Sequence, residues 1–303
     1  MVHWWRFQGG RLESCPAGEG QVLVYVNPDE AERRHLVQDL KVDEHTLTSA
    51  LDPDELARLE FEPEHVAIIV KRPKNYSAAD NFLFKVASLG ILMFRDRLAL
   101  IVNEDTALFE GRQFQKMSSI QDVVLRLIYR SIYHFLEHLK VINMCSDQLE
   151  AEVNTAMENR HLLNLFTLEK SLVYYLNAIS SNGRVIERMR SNAARLGLSP
   201  ENIEFLDDIA IENSQCFEQA QIYSQVLSGL MDARVSVVSN NLNVLIKRLN
   251  IIMIALMVPT LWVSLFSMNL AIPLASHPQT FWFVLVSAAL VAGASALLLQ
   301  RKE

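Results

Sequence analysis

Charge is missing from the last fifth of this chain. Asp, Glu, Lys and Arg make up 21% of its 303 residues, yet none occurs from Leu249 to Gln300. That absence excludes a solvated surface for the stretch. Cysteine is scarce as well. Cys15, Cys145 and Cys216 are odd in number, widely spaced and free of any CxxC pattern. This pattern argues against a disulfide framework or structural zinc site, and reduced thiols are the default. No glycine-rich phosphate loop is present, which disfavours an ATP-driven pump, and there is no nucleophile elbow or internal repeat. The opening MVHWWR lacks the pattern of a signal peptide. Net positive charge is lacking too: the chain stands at −7, and the part before Leu249 carries 26 basic and 34 acidic residues. An acidic body argues against a nucleic-acid partner and suits attraction of cations.

The uncharged stretch holds two apolar runs, Leu249–Leu270 and Phe281–Leu299. Each is long enough for a helix to cross a hydrocarbon core of ~30 Å, which takes roughly 20 residues. Lys247 and Arg248 precede the first run, Arg301 and Lys302 follow the second, and the connecting turn near 270–279 has no basic residue. This asymmetry places both termini in the cytoplasm and the turn outside, in a bacterial-type inner (plasma) membrane with lipid as a partner. The formal sequon at Asn75–Ser77 is then idle. Phe281, Trp282 and Phe283 sit where an interfacial aromatic belt belongs. Ala288, Ala292 and Ala296 recur every four residues, a spacing that lets helix backbones approach, so the second run reads as an outer helix packed on the first.

The chain therefore reads as an α+β membrane protein in three parts. Residues 1–117 form a cytoplasmic α/β domain. Gln21–Val26, Val66–Lys71, Leu89–Phe94 and Leu98–Val102 are its strand candidates, with helical pieces near Glu30–Leu40 and after Asp52–Asp54. Residues 118–248 are long cytoplasmic helices. Ser118–Ala156 has no Gly or Pro and an amphipathic 3–4 spacing through Val124, Leu127, Ile128, Ile132, Phe135 and Leu139. His161–Ser180 is a second helix, Asn182-Gly183 marks a break, and Ser199-Pro200 starts a third with Ser199 as N-cap. Residues 249–303 are the two-helix membrane domain.

The third helix continues without interruption from Glu201 to about Asn269, as a long stalk that becomes the first span. Two rows run along it. Ile209, Cys216, Tyr223, Leu230, Val237, Val244 and Ile251 recur every seven residues and predict packing against other helices. A second row steps by three and four through Ser236, Ser239, Asn243, Ile246, Asn250, Met253, Met257, Thr260, Ser264 and Ser267. It is mostly small or polar and continues into the membrane. Polar side chains there line a water-filled path or serve as hydrogen-bond glue between helices, and periodicity alone leaves both open.

His134–His138 reads HFLEH, the string of inverted zincin peptidases, with two histidines on one helical face and Glu137 between them. It is short, lacks an evident third ligand, and reads first as part of a supporting helix. The acidic groups Asp52/Asp54/Glu55, Glu60/Glu62/Glu64 and Glu150/Glu152 read as solvated surface. Asp207, Asp208 and Glu212 are better placed for metal, because neighbouring copies of a stalk would bring carboxylates together.

Pro259–Asn269, PTLWVSLFSMN, resembles the CorA family of divalent-cation channels, whose first span ends in Gly-Met-Asn before a short loop and a second span. Gly229–Asn240, GLMDARVSVVSN, is similar to the family's stalk. The resemblance implies a homopentameric funnel in which five first spans line a pore. Ser267, Met268 and Asn269 would form its mouth, the Asn269 amides meeting a hydrated ion. Asn243, Met257 and Thr260 match pore-lining positions, and Ile246 and Leu249 match an apolar constriction that gates by dewetting; Asn250, Met253 and Ser264 join the expected lining from the three-and-four row alone. Asp208 matches an acidic residue that senses intracellular metal between subunits, with Asp80 as its suggested partner. Two departures stand out. Ser267 replaces the signature Gly, whose backbone freedom Ser lacks. The loop Leu270–Gln279 carries no acid, leaving His277 as its donor and pointing toward Zn²⁺.

The reading is thus a transporter and not an enzyme. It moves Mg²⁺ or a similar divalent cation through a pore gated by intracellular metal. Metal ions are its substrate and a regulator, and no catalytic cofactor is implied. A Zn²⁺-preferring transporter and a non-conducting scaffold or sensor are the alternatives.

Overall fold

The computed structural model describes residues 1–155, 159–267 and 279–300. The chain divides into two compact units, Met1–Met231 and Asp232–Glu303.

The first unit opens with a seven-stranded sheet. In chain order its strands are β1 (Val2–Gln8), β2 (Arg11–Cys15), β3 (Val22–Val26), β4 (Arg58–Phe61), β5 (Val66–Pro73), β6 (Val86–Met93) and β7 (Leu98–Val102), arranged β2-β1-β3-β7-β6-β5-β4. Only the β3–β7 pair is parallel, registering Val24 with Leu100. The central strands β3, β6 and β7 are buried along nearly their whole length, so they read as continuous apolar runs.

Each face of the sheet is covered. Helices α1 (Glu30–Arg34) and α2 (Glu44–Leu51) accompany one face, where Leu36, Leu47 and Ala50 pack with Leu23, Tyr25, Ile69 and Ile101. Asp29 caps α1 in a reciprocal box with Glu32. A Cβ on Gly90 of β6 would lie 2.5 Å from that of Ala50, so glycine is what lets α2 approach the sheet. The stretch Asp52–Asp54 does not begin a helix, contrary to the helical piece expected there. Asp52 ends α2, and the carbonyls of Asp52 and Pro53 accept from the buried Lys71 ammonium.

Helices α3 (Ile120–Thr155) and α4 (Asn159–Ser191), with the start of α5 (Pro200–Phe266), share the larger core with the other face. Asn182-Gly183 does not break α4. The Asn182 amide accepts from the Lys71 N–H and donates to the Lys71 carbonyl, both at 2.8 Å. It clips the helix to β5 as a neighbouring strand would. Gly183 leaves room for the amide of Asn213, which would lie 3.0 Å from a Cβ there. Ser199 does cap α5, accepting from the Asn202 N–H at 3.2 Å.

The second unit comprises the rest of α5 and α6 (Thr280–Gln300). α5 has 67 residues and is long and apolar enough to cross a membrane. The described part of α6 adds a shorter apolar stretch, Thr280–Ser295.

Candidate functional site

The heptad row of α5 has two fates. Leu206, Ile209, Asn213, Cys216, Ala220 and Leu227 are buried, so the row's first members join the core of their own chain. Beyond Arg234 the burial ends, and every residue from Val235 to Asn250 is exposed, apolar ones included.

Burial returns on one face only. Ile251, Ala255, Val258, Pro259, Trp262 and Phe266 are half-buried, while the rest of the segment stays exposed. On α6 the matching face is Val284, Ser287, Ala288, Val291, Ala292 and Ser295. The Trp262 indole N–H donates to Ser287 Oγ at 2.9 Å. This seam includes Ala288 and Ala292, as their spacing predicts.

The small and polar row lies elsewhere on α5. At 3.6 residues per turn its centre falls about 180° from the seam. Asn243, Asn250, Thr260, Ser264 and Ser267 are exposed, as are Ile246, Leu249, Met253 and Met257. In a span, polar groups facing away from the partner helix have no lipid group to satisfy them. Three hydroxyls on this row hydrogen-bond backwards along their own helix. Ser236 donates to the Asp232 carbonyl at 3.0 Å, Thr260 to Leu256 at 2.6 Å and Ser267 to Ser264 at 2.8 Å. Met268, Asn269 and His277 lie outside the described residues.

The carboxylates suggested for metal sensing have different surroundings. Asp80 closes the short turn Ala78–Asp80, where its carboxylate accepts from the Ser77 N–H and hydroxyl and pairs with Lys85 at 3.4 Å. These bonds, Ser77 foremost, hold it below the usual carboxylate range. Asp208 is exposed on α5, and among the described residues no hydrogen bond or ion pair engages it. Its neighbour Asp207 is paired with Arg190 of α4 at 2.8 Å. No group of three or more metal-ligating side chains occurs among the described residues.

The HFLEH string belongs to the core. His138 is buried, with Nδ1 2.6 Å from the Tyr175 hydroxyl, and its ring sits 4.4 Å from that of His134. Burial drives both histidines down to about 4, with His138 and Arg72 adding repulsion at His134. Glu137 is exposed. The arrangement fits neutral packing residues and lacks the third ligand that a peptidase zinc needs.

Sequence reasoning missed the Trp262–Ser287 bond. A serine in an apolar run, one of two there, was its only trace. It also missed Lys71, which burial pushes down to about 8 and which donates to Ser88 Oγ at 2.7 Å.

The family model described as CorA-like Mg²⁺ transporter protein matches residues 22–301. The cobalt/magnesium transport protein CorA of Methanocaldococcus jannaschii is 24% identical over 281 residues, covering 87% of this chain and 85% of that protein. The complete structure of the CorA magnesium transporter from the same organism superposes with a TM-score of 0.82 at 17% identity, over 100% of this chain and 97% of the other. The full-length CmaX protein gives 0.69 at 17% identity, over 99% and 97%. The ZntB cytoplasmic domain from Vibrio parahaemolyticus gives 0.61 at 14% identity, over 79% and 98%.

Proposed function

Since the chain belongs to the CorA-like Mg²⁺ transporter family, and so is a membrane transporter of divalent cations and not an enzyme, we propose that it conducts them passively through a pore lined by the small and polar row of α5. The observation that carries this is the placement of that row opposite the α6 seam. Five copies around an axis would turn the row inward and leave α6 outside. The exposed stretch Val235–Asn250 would then be covered by its counterparts. Ile246 and Leu249 would form the apolar constriction, where narrowing expels water and stops conduction.

Ser267, Met268 and Asn269 are the proposed mouth. Mg²⁺ sheds its water reluctantly, and a ring of amide oxygens can hold that water shell without stripping it. Residues 1–117 and 118–248 would form the cytoplasmic funnel and 249–303 the membrane part, with both termini inside an inner membrane. Asp208, with Asp80 of a neighbouring copy, is the proposed cytoplasmic metal sensor. Because one chain leaves Asp208 unengaged, a metal that favoured the closed assembly would find a vacant carboxylate there, as a ligand must favour one state to shift it.

Uptake of Mg²⁺, Co²⁺, Ni²⁺ and Zn²⁺ into proteoliposomes tests the reading. Asn269→Ala lowers the wild-type flux by about tenfold or more if the mouth binds the hydrated ion, and an unchanged flux removes the mouth assignment. A preference for Zn²⁺, which the acid-free loop and His277 favour, would select the zinc alternative. No uptake of any ion would leave a scaffold or sensor. Asp208→Ala should weaken metal protection against proteolysis, and equal protection would remove that sensor.

A further inference from the structure

Pro259 interrupts the hydrogen-bond ladder of α5 inside its apolar segment. It has no N–H to give the Ala255 carbonyl, so the helix is weakest there. The eight residues beyond it, Thr260–Ser267, carry the outer end of the polar row. Three residues past the proline, on the seam face, stands Trp262. Its N–H reaches Ser287 Oγ at 2.9 Å, and that hydroxyl donates to the Val284 carbonyl at 2.9 Å. Ser287 is thus oriented by its own helix to accept the indole proton. The Phe266 ring meets Trp262 edge-on at 5.7 Å. In hydrocarbon no water replaces a lost partner for the indole, so rotating or sliding the outer segment strands this donor.

We propose that Trp262 is a positioning residue for transport, anchored by Ser287, which fixes the rotation of the segment beyond Pro259 and so aims Thr260, Ser264 and Ser267 at the permeating ion. The proposal rests on the conduction reading above. Trp262 touches no ion; it acts through the polar face on the far side of its helix.

The test measures Mg²⁺ and Co²⁺ uptake into proteoliposomes for matched amounts of folded protein. Trp262→Phe keeps a ring and removes the donor; Ser287→Ala removes the acceptor. Each should lower flux roughly threefold to tenfold, the range for one interhelical hydrogen bond in a membrane. Each should also change the Mg²⁺:Co²⁺ ratio, which a mere loss of intact protein would not. The double variant should match either single, Ser287→Thr should behave as wild type, and in a Pro259→Ala background Trp262→Phe should cost less than about twofold, since a continuous helix needs no such anchor. An unchanged ratio in both singles, additive losses in the double, or a Ser287→Thr variant as impaired as Ser287→Ala overturns the proposal while conduction stands. If the wild type moves no ion, the conduction reading fails instead, and thermal melting of wild type, Trp262→Phe, Ser287→Ala and their double variant in detergent still decides the anchor: coupled losses support it and additive losses overturn it.

Discussion

The two halves of α5 obey the same seven-residue repeat in different surroundings. In the first half, Ile209 and Cys216 are sealed in a core shared with α3 and α4. In the second, Val237 and Val244 hold the same register yet remain 47% and 42% exposed. A repeat specifies which face seeks cover but not what supplies it. In the first half the chain covers itself. In the second only the Ile251–Phe266 face is covered, by α6, and the remainder is left for other copies or lipid.

The contrast can be broken by mutation. Leu206→Ala, at a fully buried position of the first half, should lower unfolding free energy by about 2–5 kcal/mol, read from urea denaturation. A loss no larger than that of an exposed-half variant would erase the distinction. Acid offers a second route into the same core. His134 and His138 are held near 4 when folded and return toward 6.5 when unfolded. The unfolded chain therefore binds more protons between those values, and stability present above pH 6.5 drains away as pH falls toward 4, by up to about 3 kcal/mol for each histidine and less where solvent screens the ring. His138→Phe should flatten that slope, and an unchanged slope would show that other groups set it.

Asn182→Ala should cost about 1–2 kcal/mol, because it strips partners from the N–H and carbonyl of Lys71. Faster hydrogen exchange at the Lys71 amide would localise the damage to β5. The smallest effect belongs to the exposed half. Val244→Ala should leave the urea midpoint within about 0.5 kcal/mol of wild type while weakening self-association in sedimentation. A shift as large as that of Leu206→Ala, with self-association unchanged, would mean that Val244 is covered within its own chain.

Much of this was legible in the residues. The long helices were readable because amphipathic 3–4 spacing sustained over dozens of positions suits neither a strand nor a loop. The central strands were readable because burial on both faces makes them continuously apolar. The outer strands were not: β2 buries only Leu12 and β4 only Leu59, so neither leaves a pattern above its neighbours. Asn182-Gly183 misled because the same dipeptide that turns a free chain can serve close packing inside a helix. The polar row was visible as composition. Its position opposite the seam depends on which face α6 selects, and that choice lies in packing and in the Trp262–Ser287 pair. Met268, Asn269 and His277 stand outside the described residues, so their roles still rest on resemblance.

The backward hydrogen bonds of Ser236, Thr260 and Ser267 have a chemical consequence for the proposed path. Each hydroxyl has already spent its proton on a carbonyl, so what it offers outward is an oxygen lone pair. Water bound to a metal ion points its hydrogens away from the ion and finds an acceptor at these levels. Chloride would find no hydroxyl hydrogen to hold at these three levels. Selection by sign of charge would then begin in a wall that is itself electrically neutral.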